Sequence, residues 1–117
     1  MPPTLQDFKA ELFRTLANPV RIRILEVLRA TGSLTVREIQ QQVGVEPSNV
    51  SQHLALLRGR GLVTTRREAT SIWYSVAEPE LFGMLDAARA IFDSQLAAQA
   101  KLAEEAQSPG AVAGTGP

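Results

Sequence analysis

The stretch Glu46-Pro47-Ser48-Asn49-Val50-Ser51-Gln52-His53-Leu54-Ala55-Leu56-Leu57-Arg58-Gly59-Arg60-Gly61-Leu62-Val63 decides how this chain folds. It is bounded by helix punctuation. Pro47 suits a first helical position, where a missing N–H costs nothing, and Gly61 suits the left-handed residue that closes a helix. The spacing therefore predicts a helix from Pro47 to Arg60, although Glu46 is a poor N-cap by type. At about 100° per residue, Val50, Leu54 and Leu57 fall in one narrow apolar stripe, while Ser48, Gln52, Ala55 and Gly59 cluster opposite. Asn49 and Ser51 border that second face, and Arg58 and Arg60 stand near its end.

The apolar stripe is a core face. The opposite face is small, uncharged and able to hydrogen-bond, whereas a merely solvated face normally carries Lys and Glu. Gln and Asn pair bidentately with an adenine edge, Ser serves as donor or acceptor, and small residues let a helix sink into a groove. Taken alone, the segment reads equally well as an ordinary amphipathic helix. The residues on its C-terminal side change that balance. Leu62-Val63-Thr64-Thr65-Arg66-Arg67 and Ile72-Trp73-Tyr74-Ser75-Val76 are β-branched and aromatic runs separated by Glu68-Ala69-Thr70-Ser71, the pattern of a hairpin. A helix leading into a two-stranded ribbon with two arginines near its tip is the order of a winged helix-turn-helix.

The run from Val43-Gly44-Val45 through Leu62-Val63, then Arg66-Arg67-Glu68 and Trp73-Tyr74-Ser75-Val76, resembles the ArsR/SmtB-type bacterial winged-helix repressors, with their Val-Ser-x-His-Leu-x-x-Leu helix. Upstream, Leu16-Ala17-Asn18-Pro19-Val20-Arg21-Ile22-Arg23-Ile24-Leu25 resembles the second helix of the same family. The resemblance spans about Phe8 to Val76 and implies a homodimeric repressor that binds DNA.

Outward from the centre, Thr35-Val36-Arg37-Glu38 fits a capping box and predicts a short helix, Val36 to Val43, with Ile39 and Val43 inward and Gly44 ending it. That helix, a turn containing Gly44 and Glu46, and the Pro47 helix make a helix-turn-helix. Leu5, Phe8, Leu12 and Leu16 recur at helical spacing, so a first helix runs from Thr4 or Leu5 to Leu16, with Thr4 as N-cap. Pro19 opens a second helix ending near Thr31-Gly32-Ser33, whose buried face is marked by Val20, Ile24, Val27 and Leu28. Arg21 and Arg23 lie off that face as solvated charges, though the resemblance implies phosphate contact near this helix start.

After the hairpin, Glu78-Pro79-Glu80 starts a last helix, and Leu81, Leu85, Ala88, Phe92 and Leu96 form a stripe widened by Met84 and Ile91 that fades near Leu102. About 25 residues make roughly 37 Å of helix, more than so small a domain can cover, so a second copy is the expected partner of the stripe, together with Leu5, Phe8 and Leu12. The expected class is mainly α with a small β-hairpin, in the order α-α-α-α-β-β-α. Residues 1–106 form one domain with N- and C-terminal dimerisation helices, and 107–117, without periodicity or large side chains, a disordered tail.

Composition narrows the function. The 117 residues contain no cysteine, which removes disulfides, thiolate metal sites, cysteine nucleophiles and thiol redox sensing. A Ser/His/Asp triad would have to be built on the single histidine, His53, which sits in the partner-facing helix, so no enzymatic activity is expected. No apolar run approaches the ~18 residues of a membrane span, and Met-Pro-Pro-Thr lacks a signal-peptide layout, so a cytoplasmic protein is expected. Net charge is zero but uneven: residues 1–44 and 45–77 each carry +2, and residues 78–117 carry −4. A basic body with an acidic end suits a protein that meets phosphate on one surface.

Many members of the resembled family bind metal through a cysteine pair in the helix equivalent to Val36–Val43, or through carboxylates and histidines on the last helix. Here the first has no thiolate, and the second offers Asp86 and Asp93 without a histidine, so neither metal nor cofactor is expected. An organic ligand between the first and last helices, a protein effector, or no effector at all stay open. The expected DNA surface is Ser48, Asn49, Ser51, Gln52 and His53 toward the bases, with Arg58, Arg60, Arg66 and Arg67 on phosphates or, for the wing, the minor groove. His53 lies about 60° off the core stripe, which suits either a base contact or a half-buried structural residue. Gly59 fits either a close backbone approach to DNA or simple tolerance. The alternative class is a winged-helix protein-interaction module, which would need an apolar patch on the Gln52 face.

Overall fold

Side chains start the first three helices. Thr4 Oγ accepts from the Asp7 amide at 3.0 Å while the Asp7 carboxylate takes the Thr4 amide at 3.3 Å, a reciprocal cap that fixes α1, Leu5–Leu16. Asn18 Oδ1 accepts from the amides of Val20 and Arg21 at 2.9 and 3.2 Å, and Pro19 takes the first position of α2, Pro19–Thr31. Thr35 and Glu38 repeat the reciprocal cap at α3, Val36–Val43, which Gly44 closes with φ 76°. The computed structural model describes residues 3–44 and 47–107, without the side chains of Pro47 and Ser48. The turn residue Glu46 and residues 108–117 of the expected tail thus lie outside the described residues.

Helix α4, Pro47–Gly59, ends in a Schellman motif one residue earlier than the expected Arg60. Gly61, at φ 74°, donates its amide to the Arg58 carbonyl at 3.0 Å, and the Leu62 amide reaches the Leu57 carbonyl at 2.9 Å. Leu57 and Leu62, which this motif brings together, are both buried.

Strand β2 begins at once, Val63–Glu68, and β3 runs Ser71–Val76. The expected four-residue connection is shorter: Glu68 pairs with Ser71, leaving Ala69-Thr70 as a two-residue loop with Ala69 at φ 57°. The hairpin is also not alone. A third strand, β1 at Leu34–Thr35, pairs antiparallel with β3, giving the order β1-β3-β2 in place of the two-stranded ribbon expected from the sequence. Two residues leave no alternation to read, and Thr35 carries the stronger signal of a helix cap. The pairing gives β3 a neighbour on each side, which a marginal two-stranded ribbon lacks.

The core of this first unit, which extends to Pro79, is built from three helices. Ile24, Leu25 and Leu28 of α2, Ile39 and Val43 of α3, and Val50, Leu54 and Leu57 of α4 are all buried, with Leu16, Leu34 and Val63 around them. Each such side chain contributes about 1.5–3 kcal/mol relative to exposure. Leu25 was not on the expected face of α2; that helix packs against α1, α3, α4 and β3, so its buried face is wider than one stripe, and Val20 and Val27 are only half-buried.

Among the described residues, the second unit, from Glu80, is the single helix α5, Glu80–Gln107. Its 28 residues, about 42 Å, exceed the expected length, and Gln107, expected in the tail, is helical. Arg89 and Asp93, one turn apart, pair at 3.1 Å. Ile91, Phe92, Leu96 and Leu102 are exposed.

Candidate nucleic-acid interface

Helix α4 is anchored by one face and displayed by the other. Val50, Leu54 and Leu57 are 0% exposed, which fixes the rotation of the helix against α2 and α3. Asn49, Ser51, Gln52 and Ala55 then stand in solvent, and Gln52 projects opposite the anchoring stripe. Ser48 is in the first turn of the same helix; its side chain is outside the described residues. Leu56 is also partly exposed, at 39%, a single leucine rather than the patch a protein-docking face would need.

His53 is half-buried, between the two alternatives the sequence left. Burial and, secondarily, the nearby Arg21 charge lower its pKa below the ordinary value of 6.5, so the imidazole is neutral at pH 7 and can donate one hydrogen bond and accept another. Arg21, solvated by its phase in the sequence although the resemblance implied phosphate contact there, stands near His53. It is half-buried, and its Nε is buried without a hydrogen-bond partner among the described residues. No local pattern could have linked Arg21 to His53, because they meet only when α2 packs on α4.

The four arginines expected on DNA prove unlike one another. Arg58, in the last turn of α4, is exposed. Arg60, half-exposed, is drawn to Glu11 of α1 at 2.9 Å, so its charge is partly offset. Glu11 also pairs with Arg14 one turn along. On the ribbon, Arg66 lies opposite Trp73 and Arg67 opposite Ile72, so the two neighbours point to opposite faces of the sheet. Arg66 is held by Glu68 at 3.0 Å and lies over the Trp73 ring at 6.0 Å, near the outer limit of a cation–π contact. Arg67 is exposed and carries no ion pair among the described residues. A two-residue turn at Ala69-Thr70, had it been assigned, would have given the Arg66–Trp73 register from the sequence.

Among the described residues, no three His, Asp or Glu side chains gather as metal ligands would, and no helix is long and apolar enough to cross a membrane.

A polar helix face beside an arginine-bearing ribbon is the arrangement of a DNA reader, and comparison with known proteins fixes its lineage. The helix-turn-helix domain family matches residues 16–66. The HTH-type transcriptional regulator Rv0081 of Mycobacterium tuberculosis is 39% identical over 110 residues, covering 91% of this chain and 93% of that protein. Its crystal structure aligns with a TM-score of 0.74 at 40% identity, over 85% of this chain and 99% of that one. The homodimeric winged helix-turn-helix DNA-binding domain of Mb0332 from Mycobacterium bovis, a possible ArsR-family regulator, aligns with a TM-score of 0.69 at 32% identity, over 79% and 84% of the chains.

The chain belongs to the ArsR-type winged helix-turn-helix transcriptional regulators. The biofilm growth-associated repressor of Xylella fastidiosa is a further relative, 36% identical over 86 residues, covering 74% of this chain and 75% of that protein. In this ArsR-type regulator α3 and α4 are the helix-turn-helix and β2–β3 the wing.

Proposed function

We propose that this regulator works as a homodimeric repressor on an inverted-repeat operator in the cytoplasm, without enzymatic activity, by occupying a promoter. The observation that carries the reading is Gln52, exposed at mid-helix on the face opposite three fully buried residues. A helix so fixed can present its side chains to base edges without first ordering itself. Gln52, Asn49 and Ser51, with Ser48 from the first turn, are the base readers in this account, and His53 with Arg21 lies at the edge of the contact. Arg58 and the wing serve the backbone. Within the wing, Arg67 is the cation with no ion pair among the described residues, and Arg66 is held in place by Glu68 and Trp73. Arg60, beside Arg58, serves the backbone too, although it is paired with Glu11 in the free protein.

The dimer reading is supported by Leu5 on α1, 60% exposed, and by Phe92 and Leu96 on α5, more than half exposed. Such residues favour a partner surface, and the Mb0332 relative is a homodimer.

The test is an operator selected from random duplexes, then binding of variants to it and to a scrambled duplex across salt concentrations. Gln52→Ala should cost about 1–3 kcal/mol on the operator, with little change on scrambled DNA. Arg67→Ala should weaken both duplexes alike and lower the salt slope by about one counterion, with Arg66→Ala lowering it less, because Glu68 already offsets that charge. A Gln52→Ala protein with unchanged affinity and preference would overturn the assignment of the groove-facing surface.

A further inference from the structure

The end of α4 and the first helix enclose a half-open cleft of ≈ 270 Å³, wholly within the first unit. Phe8 and Leu12 of α1 and Leu62 below the recognition helix give it an apolar wall. Its polar side is Arg60, Glu11 and the buried Thr15, whose hydroxyl is donated to the Glu11 carbonyl at 2.9 Å. The volume lies just under the roughly 300–1,000 Å³ of organic-ligand clefts, so an occupant must be small.

Charge selects the kind of occupant. One oxygen of Glu11 takes Arg60 and the other takes Arg14, so two guanidinium groups share one carboxylate and the cluster keeps a net charge of +1. Arg60 lines the cleft, and a guanidinium has five donors, of which Glu11 engages only part. A second carboxylate would balance the cluster through charge-assisted hydrogen bonds.

Gly59 lines the same cleft. Inside a helix it costs about 1 kcal/mol relative to Ala, yet it is not among the residues with positive φ, so the backbone does not require glycine there. A Cβ built on it meets nothing within 4 Å, and the residue lines the cleft. The missing side chain leaves space open where α4 ends.

We propose that this cleft binds a small amphipathic organic carboxylate, its apolar body against Phe8, Leu12 and Leu62 and its head on the Arg60 guanidinium. The bound carboxylate competes with Glu11 for Arg60. It therefore loosens the ion pair that ties α1 to the end of the recognition helix, which makes the ligand an effector of DNA affinity; this last step rests on the function proposed above, whereas binding itself does not.

The experiment is calorimetry on the purified full chain without DNA, using octanoate as probe and octanol and octylamine as controls. Saturable, stoichiometric binding of octanoate is expected, with octanol and octylamine weaker by about tenfold or more, the worth of one charge-assisted contact. Arg60→Gln should lose about the same factor, and Gly59→Leu, which fills open space, should abolish binding while leaving self-association unchanged. Should Gly59→Leu fold poorly, methyl NMR of the unmodified protein decides: octanoate-induced shifts at Leu12 and Leu62 support the site, and shifts confined elsewhere overturn it. Absence of saturable binding, equal affinity for octanol, or full binding by Gly59→Leu overturns it too. So does a Gly59→Leu protein that fails to self-associate when octanoate does not bind, because the cleft is then a seat for a second copy. Each outcome is read without an operator, so it stands apart from the fate of the DNA assignment.

Discussion

Helices α4 and α5 both carry an apolar stripe at helical spacing, yet their stripes meet opposite fates. In α4 the stripe residues Val50, Leu54 and Leu57 are 0% exposed; in α5 the stripe opens with Leu81 buried at 2%, but further along Phe92 and Leu96 are 59% and 53% exposed. The same pattern is thus satisfied inside the chain in one case and left in want of a surface in the other. Periodicity reports that a face must be covered and is silent about what covers it. Helix length separates the two: 13 residues can be covered by their neighbours, while 28 outrun a domain of this size.

The sharpest test of that contrast is in α4. Leu54→Ala should cost about 2–5 kcal/mol in urea unfolding, through lost transfer energy and the cavity left behind. That is a large share of the stability of a small domain, and a loss below about 1 kcal/mol would mean that the α4 stripe is not the anchor of the helix. In α5, Phe92→Glu should leave the first unit folded, by its circular dichroism and unfolding midpoint, and should shift the protein from dimer to monomer in sedimentation. A well-folded wild-type monomer at micromolar concentration would remove the need for a partner and with it the contrast.

The smallest effect belongs to His53, on the flank of the α4 stripe. Its folded-state pKa is lowered by burial and then by Arg21, while the unfolded chain keeps about 6.5. Above that value the imidazole is neutral in both states and pH has no effect through it. As pH falls below it, the unfolded chain takes up the proton first, so stability declines until the folded pKa is passed. His53→Gln should flatten this part of the stability curve between about pH 7 and 5; an unchanged slope would mean that Arg21 and burial do not act on this imidazole.

Legibility in the sequence tracked the range of the interaction. Helix α3 was readable to both ends, because Thr35 and Glu38 announce its start and Gly44 its stop within ten residues. The displayed face of α4 was readable from phase alone, since three buried positions fix the rotation of all the others. Strand β1 was not, for its two residues owe their conformation to β3, nearly forty positions away. The links from Glu11 to Arg60 and from Arg21 to His53 were hidden for the same reason: nothing near Arg60 signals that its charge is partly offset. Exposure set by helical phase could be named in advance, and interactions set by a distant counter-charge could not.

Thr35 belongs both to the edge strand and to the cap of the next helix. Its strand position pairs with Trp73, while its amide and hydroxyl are each tied to the Glu38 carboxylate, at 3.0 and 3.1 Å. Helix α3 has eight residues, too few to persist alone in water. Its amide protons should therefore exchange with solvent only in openings that also release the β1 edge of the sheet, and the two sets should report one common opening free energy. A helix that props the recognition helix and the strand beside the wing would then come apart together, with no partly opened form in which one DNA-facing element keeps its support and the other has lost it.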